Sequence, residues 1–179
     1  MSLAAIILLL VTLQRLGELV LARRNTERLK ARGAIEIGAR HYPLIVSVHA
    51  AWLIALWILG LDQSVNLVLL AVFVMLQGLR LWVLATLRSR WTTRIIVLPG
   101  ESLVNSGPYR YISHPNYAIV TAEIAVLPLA LHLPVVALLF TILNAMVLSI
   151  RLRAEGRALV AVSASAVTAG NGVPARATS

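Results

Sequence analysis

The segment Val65–Leu87, VNLVLLAVFVMLQGLRLWVLATL, carries a single formal charge, Arg80, in an otherwise apolar run. At a rise of about 1.5 Å per residue, such a run crosses a hydrocarbon core of about 30 Å as one helix. Comparable runs flank it, at Ser2–Ala22 and Pro43–Gly60 before and Tyr117–His132 and Pro134–Ile150 after. The last two are shorter and meet at Leu131-His132-Leu133-Pro134, which predicts a tight helical hairpin at or within the far interface. The first run follows the starting methionine with no basic lead and no clear small-residue cleavage site, so it reads as a retained helix. The expected fold is all-α, a polytopic membrane bundle with five transmembrane segments and a cytoplasmic cofactor pocket. A mean hydropathy of +0.86 with only 13% charged residues agrees, since soluble domains carry about 25% charge.

The basic residues lie between the apolar runs. Arg23, Arg24, Arg28, Lys30, Arg32 and Arg40 follow the first, Arg88, Arg90, Arg94 and Arg110 follow the third, and Arg151, Arg153 and Arg157 follow the fifth. The other two connections, around Asp62–Ser64 and His132–Leu133, carry no lysine or arginine. The positive-inside rule then predicts an external N-terminus and a cytoplasmic C-terminus. The net charge of +9 therefore reads as topology and not as a nucleic-acid surface. With no cysteine, disulfides, thiolate catalysis and cysteine-ligated metals are excluded. No metal site is expected either, because His49 has no second ligand at a metal-binding spacing. Residues 1–159 read as one integral membrane domain with a motif-bearing core over 91–159. Residues 160–179, rich in Ala, Ser, Thr and Gly, read as a poorly ordered tail.

Between the third and fourth runs stands Gly107–Tyr117, GPYRYISHPNY. Gly-Pro sets a turn, and His114-Pro115 ends an extended piece because the residue before proline avoids helical angles. Pro115 suits the first position of the next helix. The loop thus brings Tyr109, Arg110, Tyr111, His114, Asn116 and Tyr117 to a helix N-terminus, a natural anion site. Inside the apolar runs, Arg15 and Glu18 share a helix face and read as a local ion pair. Arg80 either snorkels to the interface or finds an interior partner. Glu123 lies too deep to snorkel and needs a partner among Arg80, Arg15 and Arg151, or acts as a base. Asn144 reads as an interhelical hydrogen-bonding group. Trp52, Trp57 and Trp82 read as interfacial or lipid-facing, with Trp91 the exception beside Arg90 and Arg94.

Four elements occur in order: Trp91-Thr92-Thr93-Arg94, Leu98-Pro99-Gly100, the GPYRYISHPNY string, and Arg151–Leu159, RLRAEGRAL. Together they resemble the isoprenylcysteine carboxyl methyltransferase family of small membrane enzymes, related to the phospholipid N-methyltransferases. The resemblance implies S-adenosylmethionine as cofactor, with His114, Pro115, Asn116 and Tyr117 on one side of its pocket and Glu155 closing the other. Tyr109, Tyr111 and Tyr117 offer aromatic faces for a cationic sulfonium. Arg151 corresponds to the arginine that serves the reacting acceptor, and Glu123 is an alternative base. The chain departs from the family pattern at Ala154, where a second glutamate is common, at Ser113, where arginine is common, and in its short, aromatic-poor tail.

The expected function is methyl transfer from S-adenosylmethionine to an oxygen of a lipophilic acceptor that enters from the bilayer. That oxygen belongs either to the carboxylate of a prenylcysteine-like acid or to the hydroxyl of a phenolic or pyrone lipid. Likeness to the small bacterial-type members implies a bacterial inner membrane. Expected partners are the small-molecule acceptor and membrane lipids, with no nucleic acid and no oligomeric state readable. A non-catalytic membrane scaffold or binding protein retaining the fold is the competing reading, motivated by Ala154 and the tail.

Overall fold

A computed structural model describes residues 2–99, 101 and 104–170, without the side chains of residues 40, 154, 155 and 157–170. Its helices are α1 (Leu3–Ala31), α2 (Tyr42–Leu59), α3 (Leu67–Leu87), α4 (Pro115–Ala130) and α5 (Pro134–Gly170). Four are long and apolar enough to cross a membrane, and α4 is a shorter apolar helix. The chain is a helical membrane bundle. Its surface is inside-out relative to a soluble protein: Ile58, Val68 and Val135 are each more than 70% exposed, a pattern only lipid satisfies over so large an area.

The caps account for the ends. Ser2 Oγ accepts from the Ala5 amide, and Asn66 Oδ1 accepts from the Val68 and Leu69 amides, each meeting amides that a helix start leaves without partners. Pro43, Pro115 and Pro134 sit where a missing amide hydrogen costs nothing. The α4–α5 hairpin is as tight as expected. The amide of Leu133 donates to Pro128 O at 2.8 Å, and His132 takes a left-handed φ of 54°. At this end the Asn66 amide also donates to Ala130 O, and Ser2 Oγ donates to Leu61 O, tying the start of α1 and two connections together.

One core cluster joins Leu8 and Val11 of α1, Trp52 and Leu56 of α2, Phe73 of α3, Ile124 and Leu127 of α4, and Phe140 of α5. Trp52 is fully buried, and Trp57 packs against the cluster while its Nε1 donates to Thr12 Oγ1. These two tryptophans therefore correct the lipid-facing expectation: each indole fills a gap between helices, which a hydropathy pattern does not reveal. Trp82, 46% exposed, does face outward.

At the opposite, arginine-rich end, two elements were not foreseen. The first is an antiparallel ribbon of β1 (Ile35–Ile37) and β2 (Ile95–Val97), with Glu36 opposite Ile96. Strands this short have little periodicity of their own, and their pairing spans two intervening helices. The second is the length of α1, which runs on to Ala31 past the predicted Ala22, because its polar C-terminal turns pack against the ribbon's end of the molecule. The backbone of α5 is likewise helical past Leu159, and residues 171–179 lie outside the described residues.

Candidate functional site

A cavity of about 280 Å³ opens between α1, α2, α4 and α5. Toward the arginine-rich end its walls are Tyr42, Thr92, Thr93, Asn116, Tyr117 and Arg151. Toward the bundle interior they become apolar, with Ile45, Leu53, Val120 and Val147. Arg15, Glu18 and Arg80 form a charged patch between them. The shape suits an amphiphile, with polar groups at one end and hydrocarbon beyond.

The polar end is held by a chain of contacts across helices. Arg151 Nε donates to Tyr117 Oη at 2.8 Å, Arg151 Nη1 donates to Thr93 O at 2.8 Å, and the guanidinium lies 5.3 Å from the centre of the Tyr117 ring. Tyr42 Oη and Thr93 Oγ1 are 3.1 Å apart, and the Arg94 guanidinium lies over the Tyr42 ring. Asn25, buried near the end of α1, donates to both Arg88 O (3.1 Å) and Trp91 O (2.8 Å). It thereby clamps a turn in which Arg88 has a positive φ of 49°. The clamp holds Trp91 at 2% exposure against the cavity. Gly107 fits the same region: its φ is 56°, and a Cβ there would meet Thr86 Oγ1 at 2.5 Å.

At the same end, Glu36 of the ribbon receives hydrogen bonds from Lys30 and Arg94. Burial pushes the Glu36 carboxyl up, but those bonds and both positive charges outweigh it and hold it below the usual carboxylate range. A lowered folded pKa contributes stability above the unfolded value of about 4.3, and that contribution is lost as pH falls through the folded value. Thermal midpoints measured from pH 6 to pH 3 should therefore fall more steeply for the wild type than for Glu36→Gln, starting near pH 4. Parallel curves would show that the Glu36 cluster is not linked to folding.

The charged patch in the cavity wall belongs to a closed network of two arginines and two glutamates. The Arg80 fork donates from Nε and Nη2 to Glu18 at 2.5 Å each, and Arg80 Nη1 reaches Glu123 at 3.0 Å. Arg15 bridges the same carboxylates, at 3.1 Å to Glu18 and 2.6 Å to Glu123. Gln77 donates to Glu123 at 2.9 Å, and Gln14 donates to Glu18 and Gln77. The formal charges cancel across α1, α3 and α4, which is how ionised groups persist at membrane depth. Arg80 thus pairs inside the bundle instead of snorkelling, Glu123 meets two of its three expected partners, Arg15 and Arg80, and the Arg15–Glu18 pair is part of a larger array.

The expected site residues divide. Asn116, Tyr117 and Arg151 line the cavity. Pro115 opens α4 and is buried, while exposed His114 stacks on Tyr117 with ring centres 5.2 Å apart. Tyr109 packs with Ala22, Val83, Trp91 and Ile119 and supports the Trp91 wall. Glu123 is wholly buried in the network and is not among the lining residues, and Arg151 does not reach it. The Glu155 side chain lies outside the described residues. Asn144 donates to Thr121 Oγ1 across α5 and α4 as expected, and it also lines the cavity. Tyr42 and Asn25 were missed, since nothing local distinguishes such a residue near a helix end from a solvated one, and Thr93 stood only within the Trp91-Thr92-Thr93-Arg94 element, without a role. Gln77, polar within the most apolar run, was the one available signal.

Four buried polar atoms have no hydrogen-bond partner among the described residues: Arg15 Nε, Trp52 Nε1, Trp91 Nε1 and Asn116 Oδ1. All four belong to residues that line this cavity. Buried polar groups are normally satisfied, and the concentration of unmet donors and acceptors here makes this cavity the candidate ligand site.

Residues 68–161 match the model of the isoprenylcysteine carboxyl methyltransferase family. YpbQ, an uncharacterized protein of Bacillus subtilis, is 39% identical over 159 residues, which cover 86% of this chain and 95% of YpbQ. An uncharacterized protein of Haemophilus influenzae is 26% identical over 151 residues, 81% of this chain and 88% of the relative. No solved structure matches. The family match covers more than half of the chain, and the chain belongs to that family.

Proposed function

We propose that this member of the isoprenylcysteine carboxyl methyltransferase family, a membrane methyltransferase, moves a methyl group from S-adenosylmethionine to an oxygen of a lipophilic acceptor. The observation that carries the reading is the set of unpartnered buried atoms around one cavity that is polar at one end and apolar at the other. The residues fit the cofactor. Asn116 Oδ1 is an acceptor for an amino group, Trp91 Nε1 is a donor for a ring nitrogen, and the remaining Arg151 donors suit a carboxylate. Tyr117, stacked on His114, offers an aromatic face to a cation. When bound, the cofactor supplies an electrophilic methyl carbon on a sulfonium.

The chain's own part is positional. Arg151, fixed by Tyr117 and Thr93, orients polar groups at the arginine-rich end, while Ile45, Leu53, Val120 and Val147 hold hydrocarbon and exclude water. Alignment of a nucleophile with a methyl carbon supplies much of the acceleration in such a displacement. The arginine-rich end faces the cytoplasm of a bacterial cell by the positive-inside rule, giving a cytosolic cofactor and a bilayer-dissolved acceptor access to one cavity. A bare scaffold has no use for unmet polar atoms around a cavity, whereas a binding protein that retained the fold would use them without transferring a methyl group.

Calorimetric titration of detergent-purified protein with S-adenosylhomocysteine tests this. Micromolar binding is expected, weakened about tenfold by Asn116→Ala, the worth of one buried hydrogen bond. Absence of binding to folded wild-type protein would refute the cofactor assignment and leave the scaffold.

A further inference from the structure

The interior part of the cavity has a chemistry that the polar end does not explain. His49 Nδ1 lies 2.8 Å from Ile45 O, one turn back on α2. A carbonyl oxygen only accepts, so Nδ1 carries the ring hydrogen and the neutral imidazole keeps a lone pair on Nε2. Among the described residues the ring makes no other hydrogen bond, and His49 lines the cavity. Trp52, on the same face of α2, is fully buried with Nε1 unpartnered, and Arg15 Nε is unpartnered on α1. Two donors and one acceptor therefore stand unmet on the α1 and α2 walls. All three residues precede residue 68, where the family match begins, and they face the α4–α5 side of the site across the cavity.

An apolar ligand would leave all three unsatisfied. A carboxylate would accept from Trp52 and Arg15 but has no proton to offer His49. A hydroxyl with a second oxygen beside it meets every requirement.

We propose that His49 Nε2 is the proton acceptor for an acidic hydroxyl, a phenol or enol flanked by a second oxygen, which Arg15 Nε and Trp52 Nε1 hold. The inference rests on the reading of this cavity as the acceptor's site. In the proton step the acceptor O–H bond breaks and an N–H bond forms at Nε2. The electron pair stays on oxygen, which becomes the nucleophile, and the imidazolium later returns its proton to water. The charged and titratable groups around His49 are Arg15 and Glu18 from α1, Arg80 from α3, Glu123 from α4, Arg151 from α5 and Tyr42 on its own helix.

The test reads ionisation directly and needs no turnover. A long-chain nitrophenol with an adjacent carbonyl, coloured only when ionised, is bound to purified wild-type protein and to His49→Gln, and its absorbance is followed against pH. The surrounding charges are the same in both proteins, so the difference reports the imidazole. The midpoint for the bound probe should lie at least one pH unit lower in the wild type, and His49→Asn should match His49→Gln. S-adenosylhomocysteine affinity, measured alongside, should be unchanged in both variants, which shows that they are folded. Equal midpoints with intact S-adenosylhomocysteine binding would overturn the role of His49 and leave the cofactor reading standing. Failure of the wild type to bind the probe would overturn the acceptor site itself.

Discussion

Replacing Glu123 with alanine should destabilise the bundle by about 3–5 kcal/mol, because it strands two arginines at membrane depth. Glu123 accepts from Arg15, Arg80 and Gln77, and its carboxylate is wholly buried. Removing it leaves Arg80 with Glu18 alone and leaves Arg15 with one partner at 3.1 Å. In detergent the thermal midpoint should drop by about 10 °C, with loss of folded yield on purification. Glu123→Gln keeps an acceptor for one arginine and should sit between the two. The same variants separate the scaffold role from the alternative in which Glu123 is a base. A Glu123→Gln protein that is as stable as the wild type yet transfers no methyl group would establish direct chemistry at this residue and sink the structural account.

The second large effect is at Arg151. Its guanidinium joins α5 to α4 through Tyr117 and to the Trp91–Arg94 loop through Thr93 O. Substitution by methionine keeps the stem but removes the charge and the fork. It should weaken S-adenosylhomocysteine binding by roughly 100-fold, the worth of one or two charge-assisted hydrogen bonds. Arg151→Lys retains the charge but not the planar fork and should recover only part of that loss. The protein should remain folded, because Arg151 lies at the end of the bundle and outside the buried core cluster. Unchanged affinity in Arg151→Met would remove this residue from the cofactor's site and return Tyr117 and Thr93 to a purely structural role.

The departures of this chain from its family read differently with the site in view. Ala154 and Glu155 leave the α5 extension with one carboxylate where two are common. On the opposite walls, α1 and α2 contribute His49, Trp52 and Arg15, none of which lies within the matched span. Under the acceptor proposal, the α1 and α2 walls add polar contacts to a site otherwise built by α4 and α5, as expected where one cofactor chemistry is fitted to a particular lipid.

Several features were legible from the amino-acid order alone. The apolar run lengths determine a five-helix membrane bundle, since backbone polar groups in lipid have no alternative to helix. The turn at Gly107-Pro108 and the helix start at Pro115 follow from local backbone chemistry, and so does the α4–α5 hairpin. The need of Arg80 and Glu123 for partners was also visible, because an isolated charge at that depth is prohibitively costly.

Which partners they find was decided only by packing. Arg15, Arg80 and Glu123 are separated by dozens of residues along the chain, and a helical period sets the face on which each lies without saying which face meets which. The ribbon of Glu36 opposite Ile96, the Asn25 clamp on Trp91 and the convergence of His49, Trp52 and Arg15 on one cavity arise the same way. In each case the energy comes from long-range contact between segments whose local signals are weak, and only the tertiary structure brings them together.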